Sequence, residues 1–229
     1  MLARTLLAPA CLTAACLGAP LHAEAPNLSA DPQGQPGSVA QLVLAQQAYQ
    51  TALRQGEVLA LLSAIRLARG ISQRPATGWT LETLGKALPD APAGKPAAPQ
   101  PGGETAMLIA RNLAGEDPDL QDLVYALDAQ LPGTHQDTAL VASSDLAPGQ
   151  TDVWTLPLFG EVLAEIGLIG DGDGPLILTV ADEGGTPLCT RPPGSQPRLC
   201  SLTPARNGFF TVAIANAGTT VNSYRLLAN

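Results

Sequence analysis

The stretch VWTLPLFGEVLAEIGLIGDGDGPLILTVA, residues 153–181, decides the fold of this chain. Apolar residues alternate in it with small, polar or charged residues, and glycine-rich turns separate the runs. Such alternation is typical of strands that bury one face, and short strands between turns of this kind are typical of antiparallel sheets. The stretch therefore predicts short antiparallel strands that cover a shared core.

The same pattern extends on both sides, from residue 137 to residue 229. Turn dipeptides such as Pro148-Gly149 and Asn207-Gly208 separate the apolar runs. Eight strands are predicted, over residues 138–144, 152–158, 162–168, 176–181, 188–190, 198–202, 209–215 and 221–227. Seven or eight short strands are what a sandwich requires. We therefore predict a β-sandwich over residues 137–229, with Trp154 and Tyr224 packed inside it.

Residues 38–132 carry apolar residues at helical spacing instead. Ser38 is a candidate N-cap for a helix that ends before Gly56, and Gly70 closes a second helix, so an antiparallel hairpin is expected. Further helices are predicted over residues 81–88, 104–114 and 118–131, the last of them capped by Asp117. The predicted fold class is α+β: an N-terminal α-helical region of helical hairpins followed by a C-terminal antiparallel β-sandwich.

Two segments have compositions that disfavour a packed core. Residues 24–37 are rich in proline, glycine and polar residues and predict a disordered lead-in. Residues 89–103 contain five prolines and three glycines and predict a surface linker inside the helical region. Trp79 lies in a predicted loop and is the aromatic side chain that we expect to be most exposed.

Residues 1–23 have the composition of a secretory signal peptide. One early cation, Arg4, precedes an apolar run, and Ala23 is the predicted cleavage position. A membrane anchor is an alternative, but it needs about 20 uninterrupted apolar residues, and two prolines interrupt this run. Lipid attachment at Cys16 is a second alternative, although Thr13 stands where a bulky aliphatic residue is expected. We therefore expect a periplasmic or secreted protein.

Removal of the signal peptide would change both the net charge and the number of cysteines. The full chain carries a formal charge of −8, and loss of Arg4 with the signal peptide makes it about −9. An acidic surface repels phosphate backbones and anionic lipids, so neither nucleic acid nor a membrane surface is an expected partner. Of four cysteines, Cys189 and Cys200 remain in the mature chain. Because exported proteins meet an oxidising compartment, these two predict a disulfide.

Several motifs of the sandwich region occur in a familiar order. A Val153-Trp154-Thr155-Leu156 strand precedes GDGDG (170–174), then Ala-Asp-Glu-Gly-Gly (181–185), the cysteine pair and NGFFTVAIANAG (207–218). This succession resembles the bacterial pre-peptidase C-terminal domain, in a variant that follows Ala/Leu-rich helices in exported proteins. The resemblance covers residues 137–229 and implies a jelly-roll-like sandwich without catalysis of its own, which in some members binds calcium or polysaccharide.

The best candidate ligands for a hard metal ion such as calcium are the carboxylates of Asp171 and Asp173, with that of Asp182 from a second turn. Calcium requires six or more oxygen ligands, several of them carboxylates. The resembling family usually continues the Gly-Asp turn with further aspartates, whereas here Pro175 and Leu176 begin an apolar strand. Asp and Gly also simply satisfy turn geometry. Calcium binding by the three aspartates and a purely structural turn therefore both remain open, and no other cofactor is expected.

No set of residues predicts nucleophilic catalysis. His135 is the one histidine of the mature chain, and no Gly-x-Ser-x-Gly elbow accompanies it. Glu161 and Glu165 share a strand face without an evident partner. The sequence therefore predicts a non-catalytic periplasmic or secreted binding and interaction protein, whose partner is a protein or polysaccharide of the cell envelope. The alternative is a calcium-dependent cell-envelope enzyme or enzyme accessory domain.

Overall fold

The computed structural model describes residues 25–30, 34–95, 99–130 and 137–229. The predicted signal peptide and His135 lie outside the described residues. Within them the helices are α1 (Ser38–Gln55), α2 (Val58–Arg69), α3 (Glu104–Ala114) and α4 (Pro118–Asp128). The strands are β1 (Ile71–Pro75), β2 (Thr80–Gly85), β3 (Asp137–Leu146), β4 (Gln150–Leu158), β5 (Ala164–Gly170), β6 (Leu176–Ala181), β7 (Pro187–Gly194), β8 (Arg198–Leu202), β9 (Gly208–Asn216) and β10 (Asn222–Ala228).

The predicted fold class and all eight predicted strands of the sandwich are confirmed. In the described residues the strands form two sheets, sheet A in the order β1-β3-β10-β5-β8 and sheet B in the order β2-β4-β9-β6-β7. The eight strands from β3 to β10 thus pair 3-10-5-8 and 4-9-6-7, and every one of these pairs is antiparallel. Two four-stranded sheets connected in this way form a jelly roll.

The core between the sheets follows from the period of two in the sequence. In β4 the residues Trp154, Leu156 and Leu158 are buried, whereas the residues between them are not. They pack against alternate residues of the other strands, among them Phe210 of β9 and Leu226 of β10. Each large apolar side chain buried in this way stabilises the fold by about 1.5–3 kcal/mol. The prediction that Trp154 and Tyr224 lie inside the sandwich is confirmed.

The predicted disulfide is confirmed between Cys189 and Cys200, whose Cα atoms are 6.1 Å apart. The two strands that it connects, β7 and β8, are the outermost strands at one end of sheet B and of sheet A. The bond therefore ties the two sheets together at an edge where no backbone hydrogen bonds join them.

The short helix predicted over residues 81–88 is wrong. Residues 80–85 form β2, which pairs antiparallel with β4, and β1 pairs parallel with β3. The region predicted as helical therefore supplies one edge strand to each sheet. The helical spacing of Leu81, Leu84 and Leu88 is misleading because β2 is exposed on both faces. Its conformation is set by the open backbone edge of β4, which overrides local propensity.

The remaining helices lie at their predicted positions, except that α4 ends at Asp128, before its predicted end at residue 131. The α1–α2 hairpin turns at Gly56, which has a φ of +70° in the left-handed region that favours glycine. Asp117 caps α4 by accepting backbone N–H groups of Asp119 and Leu120 at 3.0 and 3.2 Å. A separate apolar cluster joins the four helices: Tyr49, Ala52, Val58, Leu61, Leu62, Ala64, Ile65, Ala106, Met107, Ala110, Ala114, Val124 and Leu127. None of the described helices has the length and apolarity to cross a membrane.

Helix α1 packs directly on the outer face of sheet A. Its residues Val39 and Val43 share an apolar cluster with Ile169 of β5 and Leu227 of β10. The approach is close at Gly167, where an added Cβ would lie 2.8 Å from a methyl group of Val39. A larger residue at position 167 would therefore push the helix away from the sheet.

The disordered lead-in predicted over residues 24–37 is wrong for the part that the structure describes. Asn27 is fully buried, its N–H donates to Asp182 at 3.0 Å, and its carbonyl side-chain oxygen accepts from the N–H of Arg206 at 2.9 Å. The N–H of Ser29 donates to the carbonyl of Thr203 at 2.8 Å. Composition predicts disorder here because the segment buries little apolar surface, but polar contacts to turns of the sandwich order it instead.

The expectation that Trp79 is the most exposed aromatic residue is also wrong. Its ring is half-buried against Trp154, edge to face, with ring centroids 6.3 Å apart. The aromatic side chains with most exposure are Phe159, Tyr125 and Phe209, at 68%, 67% and 64%. Trp79 is sheltered because β1 and β2, on either side of it, both join the sandwich.

Candidate functional site

A groove of about 460 Å³ lies on the outer face of sheet A, beside α1. It begins where α1 ceases to cover the sheet. Leu227 is buried under α1, whereas Arg225 and Ser223, two and four residues earlier on the same face of β10, face the groove. Its described lining is Gln46, Pro99, Gln100, Ser143, Ser144, Asp145, Ile169, Gly170, Asp171, Ser223, Tyr224 and Arg225.

Strand register arranges the polar side chains of the groove in two rows. Arg225 of β10 pairs with Ser143 of β3 on one side and with Ile169 of β5 on the other. Ser223 pairs with Asp145 of β3 and meets Asp171 just beyond the end of β5, where the N–H of Asp171 donates to the carbonyl of Ser223 at 2.9 Å. The first row thus carries a cation and the second row carries two carboxylates.

Arg225 is a largely buried cation held by neutral side chains. Its Nη1 donates to Oε1 of Gln73 at 3.3 Å, and its Nη2 donates to Oε1 of Gln46 at 3.2 Å. Burial lowers the pKa of the guanidinium from its ordinary value to about 10, so it is still charged at neutral pH. None of the ion pairs found between described residues includes Arg225.

The two carboxylates of the second row are fixed by β10 and by their own turn. Asp145 Oδ1 accepts the hydroxyl of Ser223 at 2.6 Å. Asp171 Oδ2 accepts the N–H of Ser223 at 2.6 Å, and its Oδ1 accepts the N–H of Asp173 at 3.0 Å. The acids therefore cannot swing toward Arg225 without losing these bonds, and the two rows stay chemically distinct.

The proline-rich segment forms the far wall of the groove. Pro99 and Gln100 line it. Earlier in the segment, the carbonyl of Pro92 accepts the N–H of Val221 at 3.1 Å, and the N–H of Lys95 donates to Asp173. Two residues of the predicted linker, Pro92 and Lys95, are thus tied to the turns that precede β10 and β6.

The structure brings together two of the three aspartates proposed for calcium and separates the third. Asp171 and Asp173 lie in the turn before β6, whereas Asp182 lies directly after β6, at the opposite end of that strand. Their grouping as one site is therefore incorrect, because a six-residue strand separates the two turns by about 20 Å. Within the described ranges there is no group of three or more His, Cys, Asp or Glu side chains arranged to hold a metal.

Asp182 takes part in a structural network instead. Its carboxylate accepts N–H groups of Asn27, Gly184 and Thr186 at 3.0, 3.0 and 2.8 Å. Burial of Asp182 would raise the pKa of its carboxyl, but these backbone N–H groups and the Arg206 guanidinium outweigh that effect and hold the pKa below its usual value. Asp182 therefore anchors the N-terminal segment to the β6–β7 turn.

No family model and no curated protein matches the chain. Among solved structures it is similar to a de novo designed double-stranded β-helix determined by solution NMR. The identity is 13%, the match covers 39% of this chain and 97% of that chain, and the TM-score is 0.26. At this TM-score the likeness carries no argument about fold or ligand. The resemblance to the pre-peptidase C-terminal domain stays a prediction.

Of the groove residues, sequence reasoning singled out Asp171 for chemistry and missed the others that matter most, Arg225, Asp145 and Ser223. One signal was present in the C-terminal strand. Alternation there puts Ser223, Arg225 and Leu227 on the outer face. An apolar residue such as Leu227 on the outer face of a sheet indicates that another segment packs against it. Arg225, two residues away on the same face, is then expected at the edge of that contact.

Proposed function

We propose that this chain is a non-catalytic, exported binding protein whose ligand occupies the groove on the outer face of sheet A, beside α1. The observation that carries the proposal is the fixed convergence of a guanidinium, two carboxylates and the hydroxyls of Ser143 and Ser223 on one groove of about 460 Å³. Ligand sites are concave, within this range of volume, and contain a few well-placed polar groups. Because these groups project from paired strands, their positions are set before a ligand arrives.

The arrangement suits orientation of a ligand better than activation of a nucleophile. The Ser223 hydroxyl donates to Asp145 at 2.6 Å, but a carboxylate is a far weaker base than the imidazole that activates serine in hydrolases. The hydroxyl is thereby held in place with its lone pairs directed away from Asp145. It acts as an acceptor of fixed position.

The compartment and partner of the proposal follow from the sequence. The signal-like residues 1–23 support export of the mature chain, and the Cys189–Cys200 disulfide supports an oxidising compartment. A soluble fragment of a cell-envelope polysaccharide or protein is then the class of ligand that the groove would meet. Localisation of a tagged full-length chain by cell fractionation tests this part, and a cytoplasmic protein with free thiols would overturn it.

A groove-filling substitution tests the binding site itself. Ser143 is exposed beside Arg225, so Ser143→Phe places a ring in the groove without entering a core. Ser201→Phe makes the same change at an exposed position of β8 and serves as the matched control. Ligand-observed NMR with soluble fragments released from bacterial envelope glycan and peptide should show binding to the wild type and to Ser201→Phe. Binding by Ser143→Phe at wild-type strength, or no binding by any of the three, would refute the proposal.

One observation keeps the calcium-dependent alternative in view. The carboxylates of Asp171 and Asp173 converge on Gly94, where an added Cβ would lie 3.5 and 2.8 Å from their Oδ2 atoms. Calcium that bound only the folded chain would raise its melting temperature, and the rise would grow with the logarithm of the calcium concentration above the dissociation constant. A thermal-shift series with calcium, repeated on Asp173→Asn, separates the alternatives. An unchanged melting temperature of the wild type at millimolar calcium would eliminate this alternative.

A further inference from the structure

We infer that the groove selects a singly charged carboxylate ligand that also carries hydrogen-bond donors, with Arg225 binding the carboxylate and the Asp145–Ser223–Asp171 row binding the donors. This inference rests on the proposed function and names the ligand class of the same site. It follows from the separation of opposite charges on neighbouring rows of β10.

No ion pair found between described residues neutralises the charge of the Arg225 guanidinium, which a ligand carboxylate could do. It presents five N–H donors, and two of its nitrogens donate to Gln73 and Gln46 at 3.3 and 3.2 Å. Both acceptors are neutral amides, which compensate the loss of hydration of a buried cation only in part. A carboxylate accepts two parallel N–H bonds from a guanidinium and neutralises its charge.

The amides also orient the guanidinium. Gln46 comes from α1 and Gln73 from β1, so Nη1 and Nη2 are held from two separate elements. A lysine at position 225 would keep the charge but would lose the planar, paired donors. Arg225→Lys should therefore weaken carboxylate binding even though it keeps the positive charge.

The second row excludes ligands of higher negative charge. Ser223 lies two residues from Arg225 on one strand face, at about 7 Å. Asp145 and Asp171 flank Ser223, and a dianion such as a phosphate monoester or a sulfated sugar bound at Arg225 would be repelled by them. Hydroxyl or ammonium groups at the same distance would instead donate to these carboxylates.

Two kinds of small molecule share this chemistry. A uronic acid carries one carboxylate and several hydroxyls, and a dipeptide carries one carboxylate and an ammonium group. Both fit a groove of about 460 Å³. The probes are therefore two matched pairs, glucuronate with glucose and alanyl-alanine with its C-terminal amide.

Isothermal titration of the wild-type chain with both pairs tests the inference. We expect the carboxylate member of one pair to bind about 10-fold to 100-fold more tightly than the partner that lacks the carboxylate, as charge-assisted hydrogen bonds require. Arg225→Gln should abolish this preference, Arg225→Lys should restore a part of it, and Arg54→Gln, at an exposed position of α1, should leave it unchanged. The pair that shows the preference identifies the source of the ligand.

The melting temperature of each variant shows whether a loss of binding is due to the changed groove or to unfolding of the chain. If Arg225→Gln does not fold, the inference is still tested by comparing the probes with and without a carboxylate on the wild type and on Arg225→Lys. Equal binding of both members of a pair, blocked by Ser143→Phe, would overturn this inference and leave the proposed function intact. No binding of any of the four probes would also overturn the inference, and the envelope-fragment experiment then decides whether the groove binds a ligand of another class.

Discussion

The carboxylate of Glu165, in β5, caps the helix that begins after Gly37. Its Oε1 accepts the N–H of Gly37 at 2.7 Å, and its Oε2 accepts the N–H of Ala40 at 3.0 Å. No side chain of α1 itself caps this end. A buried acid in the sheet thus satisfies two backbone donors at a helix N-terminus, where negative charge is also favoured by the helix dipole.

Replacement of Glu165 by alanine should destabilise the fold by about 2–4 kcal/mol, because two buried N–H groups lose their acceptors. Glu165→Gln keeps one acceptor oxygen and should have about half of this effect. The free energy of unfolding from urea titration measures both. Glu161→Gln, at an exposed position, is the control and should change it by less than about 0.5 kcal/mol. Equal stability of Glu165→Ala and wild type would contradict the capping role.

A chain of hydrogen bonds, buried except at its Thr83 end, connects the two sheets of the sandwich. Trp154 Nε1 donates to the Tyr224 hydroxyl at 2.7 Å, which donates to Asp152 Oδ2 at 2.6 Å, and Thr83 donates to Asp152 Oδ1 at 2.6 Å. Tyr224→Phe removes the central hydroxyl and leaves a buried carboxylate oxygen and an indole N–H without that partner. We expect a loss of about 2–4 kcal/mol. The same urea titration measures it, with Tyr125→Phe as the exposed control; a loss no larger than that of the control would refute it.

The same tyrosine predicts a dependence of stability on alkaline pH. Burial, and then the Asp152 carboxylate, raise the pKa of Tyr224, and burial raises the pKa of Tyr49. Because both are raised in the folded state, their contribution is complete below the ordinary tyrosine pKa of about 10 and is lost as the pH rises above it. In the Tyr125→Phe variant, ionisation followed at 295 nm should coincide with unfolding followed by circular dichroism. Ionisation of both phenols in the folded state would contradict this.

The Cys189–Cys200 bond closes a loop with a sequence separation of 11, for which loop-closure entropy gives about 2.8 kcal/mol. The double variant Cys189→Ala/Cys200→Ala should lose about this amount. Reduction of the wild type, which changes no side-chain volume, is the control and should give a similar loss. A change below about 0.5 kcal/mol in both experiments would show that sheet packing alone holds this edge.

The anchoring of the N-terminal segment predicts a dependence on acid. The pKa of Asp182 is lowered in the folded state, so its contribution is present above its unfolded pKa of about 4 and is lost as the pH falls through the folded value. Asp182→Asn should lower the urea midpoint at pH 7 and reduce its fall between about pH 5 and pH 2. Asp122→Asn, exposed on α4, is the control. If the urea midpoint of Asp182→Asn fell with pH as steeply as that of the wild type, the stabilising role of the Asp182 carboxylate would be refuted.

The sequence predicts the strands of the sandwich well because each of them buries one face, and alternation records that burial directly. Leu176–Ala181 is found at its predicted bounds. The edge strand β2 was mistaken for a helix because it buries neither face and so carries no alternation to read. Asn27 was missed for a similar reason, since polar contacts to distant turns leave no periodic pattern.

The groove was predictable only in fragments. The turn around Asp171 is visible locally, but Arg225, Asp145 and Gln46 come from three elements that lie far apart in sequence. The alternation in β10 predicts on which face of the sheet Arg225 lies. It does not predict which other segments pack against that face. The cap formed by Glu165 has the same origin, because its partners precede it by more than a hundred residues.

The sandwich of this protein is not complete without the helical region, because β1 pairs with β3 and β2 pairs with β4. A sandwich cut from the chain at residue 137 would keep its eight jelly-roll strands but would expose two unpaired strands, β3 and β4, to any other copy. It would also lose α1, which covers part of sheet A and holds Gln46 against Arg225. We therefore expect the sandwich to be stable as an isolated domain only when the helical region is kept with it.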